Sequence, residues 1–210
     1  MFPFFYLGRV TDNADPESLG RVRVSRMGDE EGVTDWIPVL TPFAGNGTGL
    51  FMLPEAGDQV LVLVLDSCGA RRLVMGGLWS EDAKPPETAE NSAADLNKDG
   101  KNCLRFIKSR SGGMFILDDT EGAEKIQVIA PGGASRLEFL VADKKISLLT
   151  DQDLSICAEG SLIMQAGEIQ VESEKGIHLR GEEVFVSAKN EMSFAAEKDL
   201  TIKGSSIALN

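Results

Sequence analysis

The sequence predicts an all-β protein: a five-stranded barrel, a β-stranded neck and a long run of repeated short strands. Three observations predict it. Apolar and polar residues alternate in short segments through residues 4 to 79. Clusters of Gly, Asp, Asn and Pro punctuate those segments. From Ile146 to the end, one unit recurs every seven or eight residues. Alternation at period 2 places every second side chain on one face of a strand, and no segment carries the helical period.

Taken in order, Phe4 to Thr11 reads as the first strand and Asp12 to Pro16 as a loop of turn formers. Leu19 to Val24 alternates as a second strand, and Gly28 to Gly32 reads as a turn. Trp36 to Leu40 is a third strand, with Pro38 pointing to an edge or bulge. A glycine-rich loop covers Phe43 to Gly49, and the apolar run Val60 to Leu65 fits a buried strand. Arg71 to Trp79 completes five strands without an intervening helix, the pattern of a small barrel, for which the OB-fold is the common five-stranded form. This barrel is assigned to residues 1–80, followed by a linker at 81–102 that contains Pro85-Pro86 and a polar stretch. Strand-like pieces at 103–107, 114–117 and 125–129, separated by Gly- and Asp-rich turns, define a neck at 103–136.

Residues 137–210 carry the repeat. Its first apolar positions are Ile146, Leu154, Leu162, Ile169, Ile177, Val184, Met192, Leu200 and Ile207. Two residues after each stands a second apolar residue: Leu148, Ile156, Met164, Val171, Leu179, Val186, Phe194, Ile202 and Leu209. Two further on come small or short residues: Thr150, Ala158, Ala166, Ser173, Gly181, Ala188, Ala196 and Gly204. Short strands at a fixed short period mean a stacked β architecture whose units bury their apolar rows against one another.

Composition excludes several function classes. A formal net charge of −12 disfavours a partner rich in phosphate, so no nucleic acid is expected. The three cysteines, Cys68, Cys103 and Cys157, are scattered and form no metal-ligand spacing or disulfide framework. The apolar start, Met1 to Leu7, is short, contains Pro3 and lacks a basic lead, so no signal peptide is expected and synthesis in the cytoplasm is. No apolar run reaches the roughly 20 residues of a membrane-spanning helix.

Candidate catalytic chemistry is sparse. His178 is the single histidine and sits at an outward position of its unit, with no nucleophile elbow in the chain to join it. The loop Gly45 to Gly49 lacks the Lys-Ser/Thr and the helix that a phosphate-binding loop requires. Asp118, Asp119 and Glu121 could face a cation but read better as a polar turn, and Trp36 and Trp79 read as packing residues in the barrel or at an interface. Catalytic, cofactor and metal residues are therefore expected to be absent.

The motifs carry a resemblance. The stretch Leu19 to Val24, then Trp36 to Pro42, Ala44 to Gly49, Leu53 to Val62 and the closing Gly76-Gly77-Leu78-Trp79 resembles the spike family of contractile injection machines, which comprises VgrG-type proteins and phage baseplate assembly protein V. Asp99 to Asn102, Ser111 to Gly113 and Asp118 to Thr120 are similar to that family's neck. The resemblance implies a homotrimer whose three chains wind one triple-stranded β-helix, with the eighteen paired apolar positions named above as its core. It implies a rigid, non-enzymatic needle under a tail tube that meets the target membrane only mechanically. The particle would be phage-tail-like, with a phage tail, a tailocin, an extracellular injection particle and a secretion system all open. No hub domain precedes the barrel, so a separate hub or baseplate protein is implied at that end. No lysozyme-like insertion fits before the neck. The terminal His-x-His of some short spikes is missing, so an open strand edge at Ile207, Leu209 and Asn210 is expected to contact a PAAR-type tip protein. The alternative is a single-chain parallel β-helix that acts on or binds carbohydrate, since three units sum to about 23 residues, a plausible coil.

Overall fold

Strand pairing is antiparallel almost throughout, and one parallel junction closes the barrel. A computed structural model of the chain describes residues 4–88 and 100–208. Part of the expected linker (89–99) and the terminal positions Leu209 and Asn210 lie outside the described residues. The chain divides into two units, Met1–Leu154 and Ser155–Asn210.

The barrel uses β1 (Phe4–Asp12), β2 (Arg21–Arg26), β3 (Asp29–Val33), β4 (Ile37–Pro38), the small hairpin β5 (Ala44–Gly45) and β6 (Thr48–Gly49), β7 (Gln59–Val64) and β8 (Arg72–Gly77). The sheet order is β3-β2-β1-β7-β8, with β4 also paired to β2. Val39 then bridges Val74 in parallel, and Leu40 N donates to Val74 O at 2.8 Å. That junction joins the two ends of the order and closes a ring of β4, β2, β1, β7 and β8.

The barrel core is built from inward rows of valine. Val10, Val22, Val24, Val60, Val62, Val64 and Val74 are all fully enclosed. Val62 on β7 pairs with Val74 on β8 and with Tyr6 on β1, while Val10 pairs with Val24 on β2. A barrel of five strands has a narrow interior, and the compact, β-branched valine side chain fits it while favouring the extended backbone. Gly8 on β1 is required by the same crowding: a β-carbon there would lie 2.3 Å from Val24 Cγ1 and 2.9 Å from Ser25 O.

One expectation changes here. The turn is confined to Met27 and Gly28 (φ 83° at Gly28), and Asp29 to Gly32, expected as the rest of the turn, belong to the strand β3 paired to β2. A strand at the sheet edge is held by backbone pairing and needs no apolar alternation, so its polar sequence conceals it. Trp36 is half-buried, but Trp79 is 68% exposed and stands outside the barrel core.

The loop after β1 is organised by one carboxylate. Asp15 accepts backbone N–H bonds from Glu17 (3.1 Å), Leu19 (3.0 Å) and Arg21 (3.3 Å), and the Arg21 Nε and Nη2 donate to it at 2.9 and 2.7 Å. The Arg21 guanidinium beside it, with those backbone donors, holds the Asp15 carboxyl far below the usual carboxylate range, and Asp15 in turn raises Arg21.

The neck is an antiparallel meander of five strands in chain order: β9 (Leu104–Lys108), β10 (Met114–Asp118), β11 (Lys125–Ile129), β12 (Arg136–Leu140) and β13 (Lys145–Leu149). Its last two strands occupy residues assigned from sequence to the start of the needle. Ser155–Asn210 forms the second unit, and among its described residues no strand pairs and every residue is exposed.

Candidate assembly surface

The register of the neck sheet aligns two apolar rows across all five strands. One row is Ile107, Phe115, Val128, Leu137 and Leu148; the next is Arg105, Leu117, Ile126, Phe139 and Ile146. Cross-strand partners project to one face of a sheet, so nine apolar side chains and one arginine share this face. Eight of the nine are exposed, and Leu137 is half-buried. Arg105, the sole charge in the two rows, is neutralised by an ion pair with Asp119.

The opposite face is mixed in character and holds the buried groups, with Ile116 4% exposed beside several polar residues. Asp118 is 6% exposed and Gln127 7%. Gln127 Nε2 donates to Glu138 Oε1 at 2.7 Å, Arg136 Nε lies 3.3 Å from the same oxygen, and Lys125 Nζ lies 3.8 Å from Asp118 Oδ2. Asp118 also accepts from Thr120 N (2.9 Å) and Thr120 Oγ1 (2.6 Å). These groups satisfy one another, as buried polar groups must. With Asp118 committed to Thr120 and Lys125 and Asp119 to Arg105, the turn at 118–121 is a self-contained polar turn.

A soluble sheet normally buries its apolar face and wets its polar one. This sheet instead leaves eight of the nine apolar side chains on one face exposed, and the second unit, taken by itself, also exposes apolar rows. Leu154 at the end of the first unit and the second-unit pairs from Ile156 through Ile202, with Ile207, are all exposed in the single chain. Contiguous exposed apolar area on this scale marks an interaction surface.

The sequence placed Ile146 and Leu148 among apolar core positions, and both fall on the apolar neck face. It did not single out Ile107, Phe115, Leu117, Ile126, Val128, Leu137 or Phe139. The signal was available as alternation within each strand, in Phe115-Ile116-Leu117 and Leu137-Glu138-Phe139 for example. The register needed to align those strands into rows was not. His178 is exposed in the second unit, and among the described residues no cluster of three His, Cys, Asp or Glu could hold a metal ion.

The barrel carries a second exposed apolar region. Leu19, Phe43, Leu50, Phe51 and Met52 line an open groove of about 560 Å³ beside the β5–β6 hairpin. Arg110 Nη1 of the neck reaches Glu55 Oε2 of the barrel at 2.9 Å.

Residues 6–79 match the family described as the Type VI secretion system/phage-baseplate injector OB domain. The chain is also 32% identical over 127 residues to the Type VI secretion system spike protein VgrG4b of Pseudomonas aeruginosa. That match takes in 54% of this chain and 14% of the relative, so the chain spans a small part of the relative's length. Together the two matches support a VgrG-like spike family for this chain, with residues 6–79 as its injector OB domain.

Proposed function

We propose that this chain is the protomer of a trimeric central spike in a contractile, phage-tail-like injection machine. The observation that carries this reading is the exposed apolar face of the neck sheet, and the second unit has exposed apolar rows of its own. Three copies turned toward a common axis bury that face at the neck. Below it, three chains interleave their short strands into one triple-stranded β-helix. Each strand then pairs with strands of neighbouring chains, so no backbone donor or acceptor in the stack stays open. The two large apolar residues of each unit fill the axis. The small third residue, such as Ala158, Ala166 or Gly181, stands at the corner where three chains crowd together. A coil formed within one chain would pair each unit with the third one after it, and the described residues 155–208 contain no such pairs.

In this reading the protein is a stiff needle, not an enzyme, and it acts on the target membrane by force alone. A separate hub or baseplate protein receives the OB-domain end. A PAAR-type tip protein caps the end at Ile207, with Leu209 and Asn210 completing the contact. The protein is made in the bacterial cytoplasm and acts as part of an assembled particle.

Absolute mass by light scattering tests the proposal. The expected value is three times 22.6 kDa, about 68 kDa. A stable species of 22.6 kDa over a wide concentration range would sink it.

A further inference from the structure

Two strands of the barrel end their inward valine rows on arginine, and they do so at the same end. On β2 the buried Val22 and Val24 are followed on the same side by Arg26, which is exposed at the strand end; on β8 Val74 is preceded on the same side by the half-buried Arg72. Arg26 pairs with Gly8 on β1 and Arg72 pairs with Val64 on β7. Both arginines therefore point to the barrel mouth where Tyr6 and Phe4 lie. The mouth is a pocket of about 300 Å³ lined by Phe4, Tyr6, Arg26, Asp29, Thr34 and Arg72, among others.

Neither arginine forms an ion pair among the described residues. The Arg26 guanidinium carbon stands 5.6 Å from the Tyr6 ring centroid, which fixes the side chain over the ring without neutralising it. Arg72 Nε is enclosed and has no acceptor, a state that buried donors rarely keep. Among the described side chains that line the pocket, Asp29 is the one acid, and it folds back on its own turn: a β-carbon on Gly32 would lie 2.8 Å from Asp29 Oδ2. The described lining thus holds two guanidinium groups against one carboxylate.

We infer that this barrel mouth is a binding site for a single carboxylate group. Planar guanidinium forks match a carboxylate in bidentate geometry. The described lining carries one net positive charge, which a monoanion balances, whereas a dianionic phosphate would leave an excess negative charge in a chain that already carries −12. The carboxylate can belong to an acidic side chain of a docking protein or to a small free acid, and the chemistry is shared. The inference does not depend on the trimeric assembly.

Tyr6 is the single tyrosine of the chain, and it reports on the site. Burial raises its phenol, while Arg72 and Arg26 oppose that shift. A bound carboxylate neutralises the arginines and so raises the phenol further. The test titrates the full chain with N-acetyl-glutamate methylamide, with propionate and with inorganic phosphate. The Arg72 Nε–H nuclear resonance and the phenolate absorbance of Tyr6 are followed at matched ionic strength. The expected result is a saturable shift of the Arg72 signal and an upward shift of Tyr6 with the carboxylates. Arg72→Gln or Arg26→Gln should weaken that binding about tenfold, the effect of losing one charge-assisted hydrogen bond. Tighter binding of the glutamate probe assigns the natural source to a protein side chain, and tighter binding of propionate assigns it to a free monocarboxylic acid. Preference for phosphate would overturn the carboxylate assignment. A non-saturating response equal to that of sodium chloride would overturn the site itself.

Discussion

Replacing Phe115 by alanine separates a wet sheet face from an assembly surface. Phe115 stands at the centre of the apolar neck face, between Ile107 on β9 and Val128 on β11, and is 43% exposed in the single chain. A phenylalanine side chain presents about 200 Å², so roughly 85 Å² of it would leave water on assembly. At about 25 cal/mol per Å², that is about 2 kcal/mol per protomer. Three symmetric copies make it about 6 kcal/mol per trimer, which lowers the association constant by about four powers of ten. The cavity left behind adds to this loss. Sedimentation equilibrium across a urea series should show the Phe115→Ala trimer dissociating at much lower denaturant than the parent. Circular dichroism should meanwhile show the barrel intact. A dissociation constant within tenfold of the parent would refute the reasoning, because the face would then be as wet in the assembly as in the single chain.

Three other outcomes are expected. Leu154→Asp combined with Ile156→Asp puts two carboxylates into the axial rows and should yield a 22.6 kDa species by light scattering. Gly8→Ala drives a β-carbon to 2.3 Å from Val24 Cγ1 and should lower barrel stability by about 1–3 kcal/mol, read as an earlier thermal transition of the first unit. Asp15→Asn should destabilise the loop before β2 with a characteristic pH dependence. The Asp15 carboxyl is depressed in the folded state, so its contribution is fully present above the unfolded value of about 4 and is lost as pH falls toward the folded one. The difference in melting temperature between parent and variant should hold constant from neutral pH down to about pH 4 and shrink only in stronger acid.

The OB domain was legible because its strands announce themselves one by one. Val60 to Val64 and Val22 to Val24 carry their own alternation, and the glycines and aspartates between strands mark where the chain must turn. The spacing of the repeat after Ile146 is a property of the sequence, and of its units only the first, Lys145–Leu149, is a strand among the described residues. β3 was not legible, because an edge strand such as Asp29–Val33 needs only backbone partners.

What the sequence by itself determined is therefore the position of most barrel and neck strands, the side of each that is apolar, and the spacing of the terminal units. Only the tertiary structure decided how those strands meet. Alternation orders residues along one strand, but register across strands is set by turns and pairing and moves every side chain by whole steps. That register carries Ile107, Phe115, Val128, Leu137 and Leu148 from five strands into one row, and turns the row outward. Barrel closure through Val39 and Val74 likewise brings Tyr6, Arg26 and Arg72 to one mouth from positions far apart in the chain. Neither grouping is visible along the chain, because each exists only once strands distant in sequence have exchanged their hydrogen bonds.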